Sequence, residues 1–381
     1  MVKMNEYQMK LYESCIKKVE EMPKSFYKKD IQLDGCNYRI FNYYQFAKFS
    51  DYNNFFEIRG HTFEIKEDCP IRLVTLPLPK FFNINENEMM LEKNLDFSKI
   101  KEITVKYDGS LLATYKTGNS FGLKTKLTFD AEQVVFGMSL LRNNPSLFDE
   151  INQLVQSDHT VCVEFCAPFN QVVLKYDSAF IKVICVRNNL TGEFLFKDCF
   201  SPQMEIVKNW VDIWQGREPI KNFILNVAKQ KNIEGYVVRF RDNFFMKVKT
   251  EDYMILHNSL SHFNVYTESN KWLLKTILSG QVDDLKSILK DFPEKIKTID
   301  CMNETVREKY FKLQQDVESF YAENKSLSRK DYAVKGTRKQ PFIFSLLINK
   351  YLGKEIDYMD FMLKRLEWSI GEKDFVPEGS K

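Results

Sequence analysis

The chain has 381 residues, with 55 Lys plus Arg against 52 Asp plus Glu and a formal net charge of only +3. Hydrophobic residues make up 44% and charged residues 28%, which excludes wholesale disorder, a collagen-like repeat and a small disulfide scaffold. The near balance of charge means that any nucleic-acid site must come from local clustering rather than bulk basicity.

At the N-terminus, Tyr7, Leu11, Cys15, Ile16 and Val19 recur at helical spacing and predict a helix over 6–22 with one buried face. From about 30 to 250 the pattern changes to short apolar runs between turn residues, which read as strands. Examples are Ile71–Val74, Leu111–Tyr115, Val172–Leu174 and Ile181–Val186. Gly235–Phe240 and Phe244–Lys249, separated around Asn243, read as a hairpin. Helical insertions are expected at 130–155 and 203–231. This is an α+β pattern with antiparallel sheets. Beyond about 253 only helical periodicity remains, at 270–291, 302–324, 342–352 and 355–370, with Asp283 and Asp284 placed to begin a helix. The expected division is therefore 1–252 and an all-α 253–381.

The eight cysteines (15, 36, 69, 162, 166, 185, 199 and 301) form no CxxC pair, and the nearest two, Cys162 and Cys166, sit in an apolar strand-like run where buried free thiols are favoured over zinc ligands. Reduced thiols, an N-terminal stretch without a signal-peptide core and the lack of an 18-residue apolar run give the expectation of a cytoplasmic protein away from membranes.

The sequence Lys106-Tyr107-Asp108-Gly109-Ser110 sits between two strand-like runs, with Gly109 permitting a tight turn. Lys-x-Asp-Gly is the nucleophile motif of covalent nucleotidyltransferases, but a short motif alone is far more often an exposed turn lysine. In order after it come Glu164 in a strand, then Phe180-Ile181-Lys182-Val183, Glu234-Gly235-Tyr236-Val237-Val238 and Lys247-Val248-Lys249. Strand alternation puts Lys247 and Lys249 on one face. Two such cations repel unless an anion lies between them, and a triphosphate is such an anion.

Around these motifs the sequence resembles the RNA ligase 1 family of T-even bacteriophages. The resemblance is carried by Arg59-Gly60-His61-Thr62-Phe63-Glu64, Lys80-Phe81-Phe82-Asn83, Lys106–Leu111, Glu164-Phe165-Cys166-Ala167-Pro168, Asn232–Val237 and Phe375-Val376-Pro377-Glu378-Gly379, and runs essentially end to end. It implies an N-terminal nucleotidyltransferase (adenylation) domain and a C-terminal RNA-specificity domain. The implied activity is ATP-dependent joining of RNA 5′-phosphate and 3′-hydroxyl ends through lysyl-AMP and an RNA-adenylate. DNA ligases and capping enzymes usually carry a β-rich barrel after the segment corresponding to Lys247-Val248-Lys249, where this chain reads as helix. A DNA-joining or capping-type enzyme and an inactive RNA-binding module are the alternatives.

The resemblance assigns Lys106 as nucleophile and Tyr253 as a second residue needed for activity. An ordinary lysine has a pKa near ~10.4, so nearby cations and Mg²⁺ would be needed to favour its neutral form. Tyr43, Arg59, Lys80, Phe82, Lys126, Glu164, Glu234, Lys247 and Lys249 are the implied ATP-binding set. Lys126 is chosen over its neighbour Lys124 on the resemblance. Glu164, Glu234 and Asp283 are the implied ligands of Mg²⁺, a cation that prefers hard oxygen donors; for Asp283 a helix-capping role is the competing reading. In the C-terminal half, Lys325, Arg329, Lys330, Lys335, Arg338 and Lys339 face one acid, Asp331. Such a run either contacts RNA phosphates, with Tyr332 stacking on a base, or is a solvated loop. The family precedent is repair of tRNA nicked in the anticodon loop, by a protein expected to be monomeric.

Overall fold

The computed structural model describes residues 4–253, 270–288 and 293–367. They divide into two compact units, one ending at Tyr253 and the other starting at Asn270 among these residues.

The first unit opens with α1 (Glu6–Glu21), whose start is fixed by a capping box: the Gln8 N–H donates to the Asn5 side chain at 2.9 Å, and the Asn5 N–H to the Gln8 side chain at 3.2 Å. Its Leu11, Tyr12 and Cys15 are buried against Phe41 and Phe63. Strands β1 (Phe26–Leu33), β2 (Cys36–Tyr43), β3 (His61–Lys66) and β4 (Cys69–Thr75) form an antiparallel meander, with the short helix α2 (Phe49–Tyr52) between β2 and β3.

Two further sheets carry the site. One has the order β11-β10-β9-β7-β8, from β7 (Ser110–Thr117), β8 (Ser120–Lys124), β9 (His159–Cys166), β10 (Phe180–Asn188) and β11 (Phe194–Leu195). The other has the order β5-β13-β12-β6, from β5 (Phe82–Asn83), β6 (Ile100–Lys106), β12 (Gly235–Phe240) and β13 (Phe245–Lys249). The chain leaves the second of these sheets at Lys106 and enters the first at Ser110, so the Tyr107–Gly109 turn lies where the two meet. All pairs are antiparallel except β5 with β13. Helices α3 (Glu132–Arg142) and α4 (Pro145–Gln156) bury Val134, Leu141, Leu147, Ile151 and Val155 against the five-stranded sheet.

Two elements differ from the sequence expectation. The 203–231 stretch holds only α5 (Glu205–Lys208) and α6 (Ile220–Ala228). Between them Trp210 bridges to Val183 and Ile213 to Thr104. Burial of Trp210 at 1% exposure, and Pro219 just before α6, override helix there. Val172–Leu174 is loop rather than strand, because the Val173 and Leu174 N–H groups both donate to the Asp108 carboxylate.

The second unit is helical: Asn270–Leu278, Val282–Ile288, Pro293–Asn324, Arg329–Lys339, Phe344–Tyr351 and Tyr358–Glu367. Leu274, Ile277, Leu285, Met302, Val306, Val317, Leu347 and Met362 are buried. The basic run expected as loop or phosphate contact is largely the helix Arg329–Lys339, started by Ser328, whose hydroxyl accepts from the Asp331 N–H. The Phe375–Gly379 segment lies outside the described residues. All eight cysteines are free. No helix among the described residues is long and apolar enough to cross a membrane.

Candidate active site

Lys106 ends β6. In the sheet, Gly235 of β12 lies opposite Lys106 on one side and Lys249 of β13 on the other. Gly235 has φ +146°, and a Cβ there would fall 2.1 Å from the Val248 carbonyl oxygen, so only glycine fits. Beside that gap the buried Glu234 bridges two cations: Lys106 Nζ donates to Oε2 at 2.8 Å, and Lys249 Nζ lies 3.3 Å from Oε1. The nearest charged partner of Lys106 is therefore a carboxylate, not the cations expected from the sequence.

The turn after Lys106 is held from three directions. Asp108 is buried, and its carboxylate accepts from the Tyr253 hydroxyl (2.8 Å) and the Val173 and Leu174 N–H groups (2.7 and 2.6 Å). Its own N–H donates to the Tyr176 hydroxyl at 3.0 Å. Gly109 is required for another reason: a Cβ would stand 2.3 Å from the Phe165 carbonyl oxygen. The Gly109 N–H in turn donates to Glu164 Oε1 at 3.2 Å. Lys-x-Asp-Gly thus combines one outward lysine with an aspartate anchor and a close backbone approach.

These elements enclose a cavity of about 290 Å³. Lys106, Glu164, Glu234, Tyr43, Arg59, Lys80, Lys247 and Lys249 line it, with an apolar wall that includes Leu78, Phe81, Val105, Ile184 and Val237. Lys80 and Lys126 Nζ each lie 5.3 Å from the Tyr43 ring centroid. The Arg59 guanidinium and Lys247 Nζ lie 5.7 and 5.8 Å from the Phe81 ring. Burial alone would raise the Tyr43 phenol, but Lys126, Lys80 and Arg59 outweigh it and pull the pKa down to about 6. Glu164 moves the other way, up to about 7, through burial and, after the opposing pull of Lys106, the charge of Glu234. One end of the cavity therefore solicits anions, while its two carboxylates solicit a cation.

Of the remaining predicted residues, Phe82 is not on the cavity wall. It is 3% exposed and packs edge-on to Phe49, Tyr52 and Phe56; its neighbour Phe81 faces the cavity, as alternation along the chain dictates. Tyr253 is not on the wall either: it is buried beneath the turn, where its hydroxyl donates to Asp108 and supports the turn's aspartate anchor. Tyr253→Phe is expected to cost about 1–3 kcal/mol by leaving an Asp108 oxygen without its donor; unchanged stability in calorimetry would remove that role.

Lys124 and Lys126 part company because β8 ends at Lys124 and the chain then turns. Lys126 reaches Tyr43, whereas Lys124 is fully buried and donates to the Gly60 and Thr125 carbonyls at 3.2 and 2.7 Å. Burial pulls Lys124 down to about 7. The folded state then lacks a proton that the unfolded chain keeps up to about pH 10.4. Stability from this group rises between pH 7 and that limit, by at most about 1.4 kcal/mol per pH unit. In urea titrations the difference between Lys124→Met and wild type is expected to change with that slope; a pH-independent difference would contradict the burial assignment.

Asp283 lies in the first turn of Val282–Ile288, in the second unit. No cluster of three or more metal-ligating side chains occurs among the described residues. Lys325, Arg329, Lys330, Arg338 and Lys339 are exposed and Lys335 is half-buried. Tyr332 is unavailable for base stacking: it is fully buried, contacts Phe320 and Tyr351, and donates to the Leu347 carbonyl at 3.2 Å.

Asp108, Phe81 and His61 stand in motif strings without a role of their own in the sequence, and Glu57 and Arg187 stand outside those motifs. Arg187 carried a signal, a charge closing the apolar run Ile181–Val186, and such a group is buried only when paired.

The sheets thus place a lysine, two carboxylates and a ring of cations on one cavity. Residues 57–254 match the family model described as "RNA ligase", and residues 267–378 match "T4 RNA ligase 1, C-terminal domain". The chain belongs to this RNA ligase family. A candidate RNA ligase of Thermovibrio ammonificans is 25% identical over 235 residues, a match that spans 60% of this chain and 60% of that curated relative. Among solved structures, an archaeal ATP-dependent RNA ligase gives a TM-score of 0.49 at 11% identity, covering 94% of this chain and 95% of that one. A Naegleria gruberi RNA ligase with pyrophosphate gives 0.37 at 19%, covering 51% and 65%.

Proposed function

We propose that the protein is an ATP-dependent RNA ligase that joins 5′-phosphate and 3′-hydroxyl RNA ends through lysyl-AMP and RNA-adenylate intermediates. The observation that carries this reading is the Lys106–Glu234–Lys249 bridge opening on a cavity ringed by Arg59, Lys80 and Lys247. In this reading residues 1–252 are the adenylation domain and 253–381 the RNA-specificity domain.

The cations hold the ATP phosphates and stabilise charge developing on the α-phosphate, the main contribution to phosphoryl-type transfer. Lys106 must give up its proton and its Glu234 contact before its lone pair can attack. Lys249, already 3.3 Å from the other Glu234 oxygen, keeps that carboxylate paired when Lys106 leaves. The N–P bond forms as the bond to pyrophosphate breaks. A 5′-phosphate oxygen of RNA then takes the AMP from Lys106, and the 3′-hydroxyl displaces AMP to close the backbone. The apolar wall suits the nucleoside.

Glu164 and Glu234 fit a divalent cation such as Mg²⁺: they are hard oxygen donors in one cavity, and the raised Glu164 pKa reports unfavourable carboxylate burial that a cation relieves. When bound, it would neutralise phosphate charge. Asp283 is kept as a further candidate ligand on the family resemblance. Lys325, Arg329, Lys330, Lys335, Arg338 and Lys339 would contact RNA phosphates. Nicked tRNA, a cytoplasmic setting and a monomer complete the reading.

The test is self-labelling with ATP against GTP, followed by joining of anticodon-nicked tRNA, linear single-stranded RNA and nicked duplex. ATP labelling and joining of RNA ends are expected. GTP labelling would point to capping chemistry instead, and labelling without any joining would remove the ligase assignment.

A further inference from the structure

We propose that Arg187 is a positioning residue that sets the two chain segments delivering Arg59 and Lys80 to the ATP phosphates, a role that rests on the ligase reading above. Arg187 lies on β10 and is 3% exposed, yet it does not line the cavity. A guanidinium in such a place must have its donors satisfied. Its Nη1 and Nη2 form a fork onto Glu57, at 2.8 and 2.6 Å. Nη1 also donates to the Pro77 carbonyl at 2.9 Å, and Nε to the Gly192 carbonyl at 2.8 Å. The Phe194 ring lies 4.6 Å from the guanidinium carbon.

Glu57 is two residues before Arg59, and Pro77 is three before Lys80. One side chain therefore grips both segments just upstream of their cations. The segments are also tied to each other. The Lys80 N–H donates to the Phe56 carbonyl at 2.7 Å, and Arg59 Nη1 to the Leu78 carbonyl at 3.3 Å. Glu57 reaches further: its Oε2 lies 3.3 Å from His61 Nε2, and His61 Nδ1 accepts the Arg59 N–H at 3.3 Å. With Nδ1 accepting, the proton of a neutral His61 sits on Nε2, which lies near Glu57 without being hydrogen-bonded to it. Arg187 thus holds the segment before Arg59 through Glu57 and the segment before Lys80 through Pro77, without lining the cavity itself. Its effect should appear where the triphosphate is bound, and not in joining an already adenylated RNA.

The test uses full-length Arg187→Met, Arg187→Lys and Glu57→Gln. Each is assayed by ATP self-labelling over a range of ATP concentrations, by joining of chemically pre-adenylated RNA without ATP, and by thermal melting. For Arg187→Met the half-saturating ATP concentration is expected to rise roughly 10–100-fold, the scale of a misplacement of about 1 Å, while pre-adenylated joining stays within about threefold of wild type. Arg187→Lys keeps the charge without the fork and Glu57→Gln keeps the shape without the charge, so both should show the same pattern more weakly. If Arg187→Met does not fold, these two carry the same criteria. A wild-type ATP half-saturation, or equal losses in both assays, overturns the proposal. Failure of the wild-type protein to take any AMP label would instead defeat the ligase reading.

Discussion

Replacing Lys106 by alanine is expected to remove ATP-dependent self-labelling, with a loss on the order of 10,000-fold or more, because a covalent mechanism has no substitute for its nucleophile. The fold should survive. The Lys106 side chain is 23% exposed and Glu234 is 4% exposed, and removing the lysine leaves no buried charge without a counter-charge. Glu234 retains Lys249 when Lys106 is gone. Labelled ATP on denaturing gels, alongside melting curves, checks both halves. A Lys106→Ala protein that melts like wild type and labels normally would show that another residue is the nucleophile.

Glu234 gives the second large effect, and here activity and stability separate. Glu234→Ala removes the anion between Lys106 and Lys249 and leaves two cations facing each other in a largely buried place. Breaking a buried pair of this kind costs roughly 3–5 kcal/mol. At about 2–4 °C per kcal/mol for a unit of this size, the melting temperature should fall by roughly 6–20 °C. Glu234→Gln keeps the shape but offers an acceptor oxygen to only one of the two lysines, so it should recover only part of that stability. Both variants are expected to label at least about 100-fold more slowly, since neither offers a carboxylate to the charged centre. Calorimetry and labelling rates together test this. A glutamine variant with normal labelling would reduce Glu234 to a structural bridge.

Much of this architecture is legible from local pattern. The helix at 6–22, the Gly235–Lys249 hairpin and the helical C-terminal half follow from apolar periodicity, which survives folding because one face of each element is buried. The motif residues Lys106, Glu164, Glu234, Lys247 and Lys249 could be named in chain order, and the sheets bring them to one cavity. What could not be read were relations across elements. Phe81 and Phe82 are indistinguishable without the phase of β5. Choosing between Lys124 and Lys126 from the residues themselves requires knowing that β8 ends between them. The buried state of Tyr332 depends on helices packing from elsewhere in the chain. The roles of Tyr253 and Arg187 are invisible locally because each acts on a residue more than 100 positions away.

The most direct test of the account is peptide mass spectrometry of the full-length protein after incubation with ATP and magnesium. One AMP is expected on the peptide containing Lys106, fragmenting to that side chain, and it should disappear when RNA with a free 5′-phosphate is added. An unmodified Lys106 peptide from folded protein, or AMP found on a different residue, would contradict it.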